Sequence, residues 1–196
     1  MHRALAPRGL RRLYPGSMSL GGWLQDQLFE RRIVLLTGTL DDDAAEITAA
    51  ALLVLDARAD QPINLHLDSP NGTLAAAFVV IDVADTLRSA LHVLCRGQIG
   101  GPAIGVLTVG DRCAAAPHTR FHLCQPTTQF IGSPQDIAAR NRQQQELLWR
   151  LSARLARRTG RPAEEIAEDM RRERYLDAPE ALEYGLIEEI TVTNDA

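Results

Sequence analysis

The chain has 196 residues, of which 45% are hydrophobic, enough for one domain with its own core and too apolar for a disordered segment. Its formal net charge of −4 argues against a general nucleic-acid binder, which needs a basic face to neutralise phosphates. No apolar run reaches the length that a bilayer demands, so no membrane association is expected.

Every basic side chain is arginine, with no lysine anywhere in the sequence. Cys95, Cys113 and Cys124 are the three cysteines. They form no CxxC motif and have no histidine at zinc-ligand spacing. That pattern suits free thiols in a cytoplasmic protein, and neither a metal nor another cofactor is expected.

Residues 1–20 contain Pro7, Gly9, Pro15 and Gly16 and read as a flexible arm, with residues 21–196 as a single domain. Arg3, Arg8, Arg11 and Arg12 make the arm basic. Lacking an apolar core, it does not read as a secretory signal. Trp23 to Phe29 suits a short amphipathic helix. Arg32 to Gly38 is a compact apolar run closed by glycine, a buried strand. Asp41, Asp42 and Asp43 then cap a helix to about Arg58, where carboxylates satisfy free N–H groups and match the dipole. Ile63 to Leu67 is the second strand and Ser69-Pro70-Asn71-Gly72 a turn. Thr73 to Arg88 reads as a largely apolar, buried helix.

Leu91 to Cys95 is a third apolar strand. It runs through the glycine-rich stretch Gly97-Gln98-Ile99-Gly100-Gly101 into an apolar helix beginning near Pro102. A sharp strand-to-helix turn of this kind is the geometry of a nucleophile elbow, which lifts one side chain into a cleft. Strands and helices alternating at this spacing predict an α/β fold with a mainly parallel sheet.

Thr119 to Cys124 is a further strand. Ser133 and Pro134 open a helix reaching about Arg158, about 38 Å long at ~1.5 Å per residue. Arg140 to Glu146 is polar nearly all round, whereas Leu147, Leu148, Leu151 and Leu155 form a stripe. Such a helix projects toward solvent or another subunit over its first half. Pro162 starts another helix, Asp177 and Glu180 form the ends of a capping box on the last one, and Gly185-Leu186-Ile187 is expected to start a closing strand.

With the elements in this order, the chain resembles the Clp serine peptidase family, ClpP, from about Leu28 to Ile190. The matching segments are Glu30–Gly38, Ser69–Gly72, Cys95–Gln98, Gln125-Pro126, Thr159-Gly160 and Tyr175–Ile187, with one short deletion near Gly110-Asp111-Arg112. The resemblance implies a repeated ββα spiral of the ClpP and crotonase kind, with residues of about 127–158 as a protruding handle. It also implies two stacked heptameric rings around a proteolytic chamber, formed with itself or with a ClpP paralogue and fed by a Clp AAA+ ATPase.

The catalytic positions that the resemblance assigns all depart from the family pattern. The nucleophilic serine falls on Gly101, which has no side chain to form an acyl-enzyme. The general-base histidine falls on Cys124, whose thiol lacks imidazole's paired donor and acceptor. The orienting aspartate falls on Glu173, one methylene longer. Of the two oxyanion donors, one falls on Pro102, which has no N–H. The other falls on Asn71, whose N–H is intact and whose side chain tolerates left-handed backbone.

Outside the centre, the aromatic lining of the ATPase docking pocket falls on Asn64, His66 and Thr86. Arg172 matches an arginine that crosses the ring-to-ring interface. These departures point to a proteolytically silent subunit working with an active paralogue. Two other readings stay open here. One is a peptidase rebuilt on Cys124, with His122 or Glu173 beside it. The other is a crotonase-type ligand-binding protein, against which Pro102 counts.

Overall fold

A computed structural model describes residues 20–127 and 131–191 of the chain, with the side chains of residues 20 and 21 excepted. The expected arm therefore lies outside the described residues, apart from Leu20, and so do residues 128–130 of the expected handle. The chain divides into two units, 1–31 and 32–196. The described part of the first is α1 (Leu20–Glu30), closed by the Arg31 N–H donating to the Leu28 carbonyl at 3.0 Å.

The second unit is mixed α/β, as expected, and mainly parallel. Five strands run in one parallel sheet ordered β1 (Ile33–Thr37), β2 (Ile63–Asp68), β3 (Leu91–Cys95), β5 (Arg112–Ala115) and β8 (Glu189–Ile190). A second sheet of three strands has β6 (Arg120–Leu123) at its centre. There β4 (Gln98–Gly100) pairs in parallel on one side and β7 (Arg174–Leu176) antiparallel on the other. Alternate residues of the large sheet, among them Ile63, Leu65, Leu67, Leu91, Val93 and Cys95, are fully buried. Their neighbours Asn64, His66, His92 and Leu94 face the other side and are only half-buried.

Local chemistry explains most helix boundaries. The α2 helix (Asp42–Arg58) starts where the Asp41 carboxylate accepts the Ala44 N–H at 2.9 Å. The α3 helix (Leu74–Ala84) starts at Thr73, whose hydroxyl accepts the Ala76 N–H at 3.0 Å. Capping boxes open α4 (Pro134–Thr159), through Ser133 and Asp136, and α6 (Ala178–Tyr184), through Asp177 and Glu180. Between them lies α5 (Ala163–Arg171), with Pro162 at its N-cap.

The α3 helix ends four residues before the expected Arg88. Two tightened turns, with the Thr86 N–H on the Val83 carbonyl and the Leu87 N–H on Ala84, close it. The next amides leave the helix altogether, because Asp56 of α2 accepts the Arg88 and Ser89 N–H groups at 3.0 and 2.7 Å. Gly185 does not start a strand. At φ 87° it caps α6 in the left-handed region that glycine tolerates, and the closing strand begins only at Glu189. The helix after the elbow is a 3-10 helix, Gly101–Val109, buried from Gly101 to Leu107.

One arginine ties the α2 end of the large sheet together. Arg32, itself at φ 59°, sends its guanidinium to the carbonyls of Leu55, Gln61 and Pro62 at 2.8, 2.6 and 3.2 Å, and to the Ser89 hydroxyl at 3.2 Å. The long helix α4 is exposed on every side up to Gln143, and its buried residues are Leu148, Leu151, Ser152 and Leu155. The polar first half and the apolar stripe of the sequence thus separate as expected.

The tightest backbone approach in the domain is at Gly100. A Cβ there would sit 2.2 Å from the Pro70 carbonyl oxygen, an atom fixed in the backbone. Gly100→Ala should therefore lose about 1–3 kcal/mol of stability through overpacking, read as a lower urea midpoint at unchanged m-value.

Candidate functional site

The elbow is built from glycines placed where the chain must turn or touch. Gly97, at φ 59°, takes the chain out of β3, and a Cβ on it would lie 2.5 Å from an Asp68 carboxylate oxygen. That carboxylate accepts the Gln98 N–H at 3.1 Å, which directs the chain into β4. Gly100 then donates its N–H to the Ser69 carbonyl at 2.9 Å. Gly101 follows at φ 52°, in the left-handed region, and Pro102 occupies the start of the 3-10 helix.

The Ser69–Gly72 turn is held against this elbow. The Asn71 carbonyl accepts from the Ser69 hydroxyl at 3.0 Å and from the Leu40 N–H at 2.9 Å. The Asn71 side-chain oxygen accepts the Gly72 N–H at 2.7 Å. Among the described residues, Arg32 and Glu173 are the non-glycine residues at positive φ, so the left-handed tolerance of asparagine is not used at position 71. Its side chain instead shapes the turn. Its own N–H has no acceptor among the described residues.

These elements converge on one point. A Cβ at Gly101 would lie 3.5 Å from the Asn71 side-chain oxygen and 3.6 Å from the Cys124 sulfur, ordinary contact distances. Glu173 arrives from the other side. The β6–β7 register pairs Leu123 with Arg174, and one further antiparallel step sets Cys124 beside Glu173. Glu173 is exposed and sits at φ 55°, a conformation that few non-glycine residues adopt. The structure thus brings together Gly101, Pro102, Asn71, Cys124 and Glu173.

The electrostatics of the cluster follow from burial. Desolvation pushes the Cys124 thiol above the usual cysteine range, a nearby Gly101 N–H partly opposes this, and the Glu173 charge adds to it. Burial also lifts Cys95 well above that range and Cys113 to about 12. His122 is held below its ordinary value by desolvation, against the pull of Glu173.

His122 forms no hydrogen bond with Cys124 among the described residues. Its ring stacks on Tyr175 across the β6–β7 pair, with centroids 3.9 Å apart and planes 7° from parallel, and its buried Nε2 has no hydrogen-bond partner among the described residues. Tyr175 is a neighbour that sequence reasoning missed. The signal was the antiparallel register, which no local pattern in Arg174-Tyr175-Leu176 announces.

The remaining predicted residues lie away from this cluster. Asn64 and His66 line an open groove of about 260 Å³ on the half-buried face of the large sheet, with His92, Arg112 and Glu189. Arg112 pairs with Glu189 there. Thr86 is not among the residues lining the groove, and its hydroxyl donates to the Val83 carbonyl at 2.7 Å. Arg172 is exposed at the end of α5 and pairs with Glu168 one turn back.

Chemically, the tip offers no side chain that can attack a carbonyl, and Pro102 offers no donor to an oxyanion. Cys124 faces the tip with a thiol whose pKa burial raises. Among the described residues, no group of three or more His, Cys, Asp or Glu side chains is arranged to hold a metal ion, and no helix is long and apolar enough to cross a membrane.

A family model described as Clp protease matches residues 22–194 of the chain. The match extends beyond the Leu28–Ile190 stretch that carries the resemblance in the sequence.

The raised thiols set an expected reactivity. Because a raised pKa lowers the thiolate fraction, iodoacetamide at pH 8 should alkylate the folded protein at least about tenfold more slowly than free cysteine. Mass spectrometry of the intact protein reads this directly. Rapid, selective labelling of Cys124 would show an activated thiol instead.

Proposed function

Because this chain belongs to the Clp protease family, we propose that it is a proteolytically silent subunit of a Clp protease assembly. The observation that supports this best is the elbow tip itself. Gly101 keeps the left-handed turn, faces Cys124 and Asn71, and carries no nucleophile, while the next residue cannot donate an N–H. The fold that positions a catalytic serine is present, and the chemistry it would position is replaced. Losing one oxyanion donor alone is worth about 2.7–4 kcal/mol of transition-state stabilisation.

On this reading the chain assembles with an active ClpP paralogue, as a mixed ring or as a partner ring, in the cytoplasm. The fully exposed first half of α4 is the ring-to-ring handle, and exposed Arg172 is a contact across that interface. The groove at Asn64 and His66 presents imidazoles, an amide and an ion pair where an apolar ATPase loop would need aromatic walls. The AAA+ ATPase then engages the assembly through the partner subunits. A peptidase rebuilt on Cys124 is disfavoured, since burial and the Glu173 charge raise its thiol pKa and only the Gly101 N–H opposes them.

Purified alone, the protein should neither cleave a fluorogenic peptide nor react with a serine-directed probe; either activity would end this reading. Native mass spectrometry after co-expression with the active paralogue should show mixed oligomers. Restoring side chains in steps gives a sharper test. Gly101→Ser with Cys124→His should stay inactive, and peptide cleavage should emerge only when Pro102 is also replaced by alanine, which supplies the missing N–H. Strong activity in the double variant would mean that Pro102 is not the obstacle.

A further inference from the structure

A cleft lies away from the elbow. It is lined by Thr108, Arg154, Arg157, Arg158 and Glu188 and encloses about 560 Å³. That volume lies within the range of small-molecule sites, roughly 300–1,000 Å³. The three arginines stand at i, i+3 and i+4 on the last turns of α4, a spacing that puts them on one helix face.

Two of them are already fixed. Arg154 grips both carboxylate oxygens of Asp85 at 2.8 Å, and its Nε donates to the Thr108 hydroxyl at 3.1 Å. Arg158 donates to the Gly110 carbonyl at 2.9 Å and pairs with Glu188. Their side chains are only 20% and 12% exposed. A guanidinium carries five N–H donors, so both keep donors beyond those spent here. Arg157 is exposed and has no hydrogen-bond or ion-pair partner among the described residues.

Favourable interaction with the helix C-terminus accounts for Arg157 and Arg158 as charges. It does not account for Arg154, one turn earlier, nor for two guanidiniums held rigidly at the wall of a cleft beside a third that is unspent. Fixing those side chains in advance removes much of the entropy cost of binding an anion. The acids limit what fits. Asp85 and Glu188 cancel two of the three positive charges, so a long polyanion gains little there, whereas a single compact one meets the free donors.

We propose that this cleft binds a phosphoryl group, carried by a small phosphorylated molecule or present as the free anion. Arg157 is the mobile contact that closes on it, and Arg154 and Arg158 form the fixed floor. Planar guanidiniums match phosphate oxygens in pairs, which a lysine would not. The proposal is independent of whether the elbow is catalytic.

The test is isothermal titration of the purified full chain with inorganic phosphate and with AMP, in chloride buffer. Binding at about 1 mM or tighter is expected, weakened about tenfold or more by Arg157→Ala and less by Arg157→Lys, which keeps the charge but not the paired donors. AMP binding clearly tighter than phosphate identifies an organic phosphate as the ligand, and equal affinities identify the free anion. No binding of either probe overturns the proposal, as does binding that Arg157→Ala leaves unchanged. Sedimentation of the same variant supplies the other arm. If Arg157→Ala alters the oligomeric state while the wild type binds neither probe, the arginines are a subunit contact and the anion site is refuted.

Discussion

Everything at the candidate site depends on one backbone-to-backbone approach. The Ser69–Gly72 turn reaches the elbow only because Gly100 leaves its carbonyl neighbours room, with Pro70 oxygen where a Cβ would otherwise stand. The Gly100 N–H bond to Ser69 then fixes the distance, and Gly101 inherits a position from which its missing side chain would point between Asn71 and Cys124. Gly72 repeats the device on the other flank, since a Cβ there would meet Leu40 at 2.7 Å. Close approaches of this kind hold a cleft open in a fixed shape whether or not the residues inside it react. The shape of the turn is thus set by backbone contacts and not by the side chains that face the cleft.

The two sheets divide the labour. The large parallel sheet buries one face in apolar contacts and leaves Asn64, His66 and His92 on the other. The small sheet brings three distant segments, around Gly100, His122 and Tyr175, into one register. Cys124 and Glu173 become neighbours through that register and through no direct bond between them. The burial that raises the Cys124 thiol is therefore a property of the sheet edge, sharpened by a carboxylate that the pairing carries to it. In energetic terms the pocket favours a neutral, small side chain, and cysteine satisfies it.

The sequence was legible wherever the determinant was local. Asp41, Ser133, Asp177 and Glu180 cap the helices they were expected to cap, because each bonds an N–H within three residues of itself. The short strands were not legible. Arg112-Cys-Ala-Ala and Arg174-Tyr-Leu carry no strand pattern of their own and are extended because Leu94 and Phe121 offer them partners. The end of α3 was hidden for a similar reason, since the carboxylate that captures its next amides belongs to Asp56 on another helix. At the site, Gly101 and Pro102 were readable as an elbow, whereas the grouping with Cys124, Asn71 and Glu173 came only through the family resemblance. The arginines at the end of α4 did not stand out in the sequence, because the acids that organise them, Asp85 and Glu188, come from elsewhere in the chain.

A sequence without lysine has a consequence for how this molecule's charges respond to their surroundings. Every side-chain cation that clamps a loop, from Arg32 at the sheet edge to Arg154 and Arg158 on α4, is a guanidinium, which stays charged at any pH a protein meets. Arg32 clamps carbonyls and a hydroxyl, whereas Arg154 and Arg158 also pair with the carboxylates of Asp85 and Glu188. The arginine–carboxylate pairs among these clamps are thus indifferent to alkali and lose charge only on the acid side. The chain also presents no side-chain amine, so acylating or carbamylating chemistry that silences lysine-based contacts has nothing on these side chains to act upon.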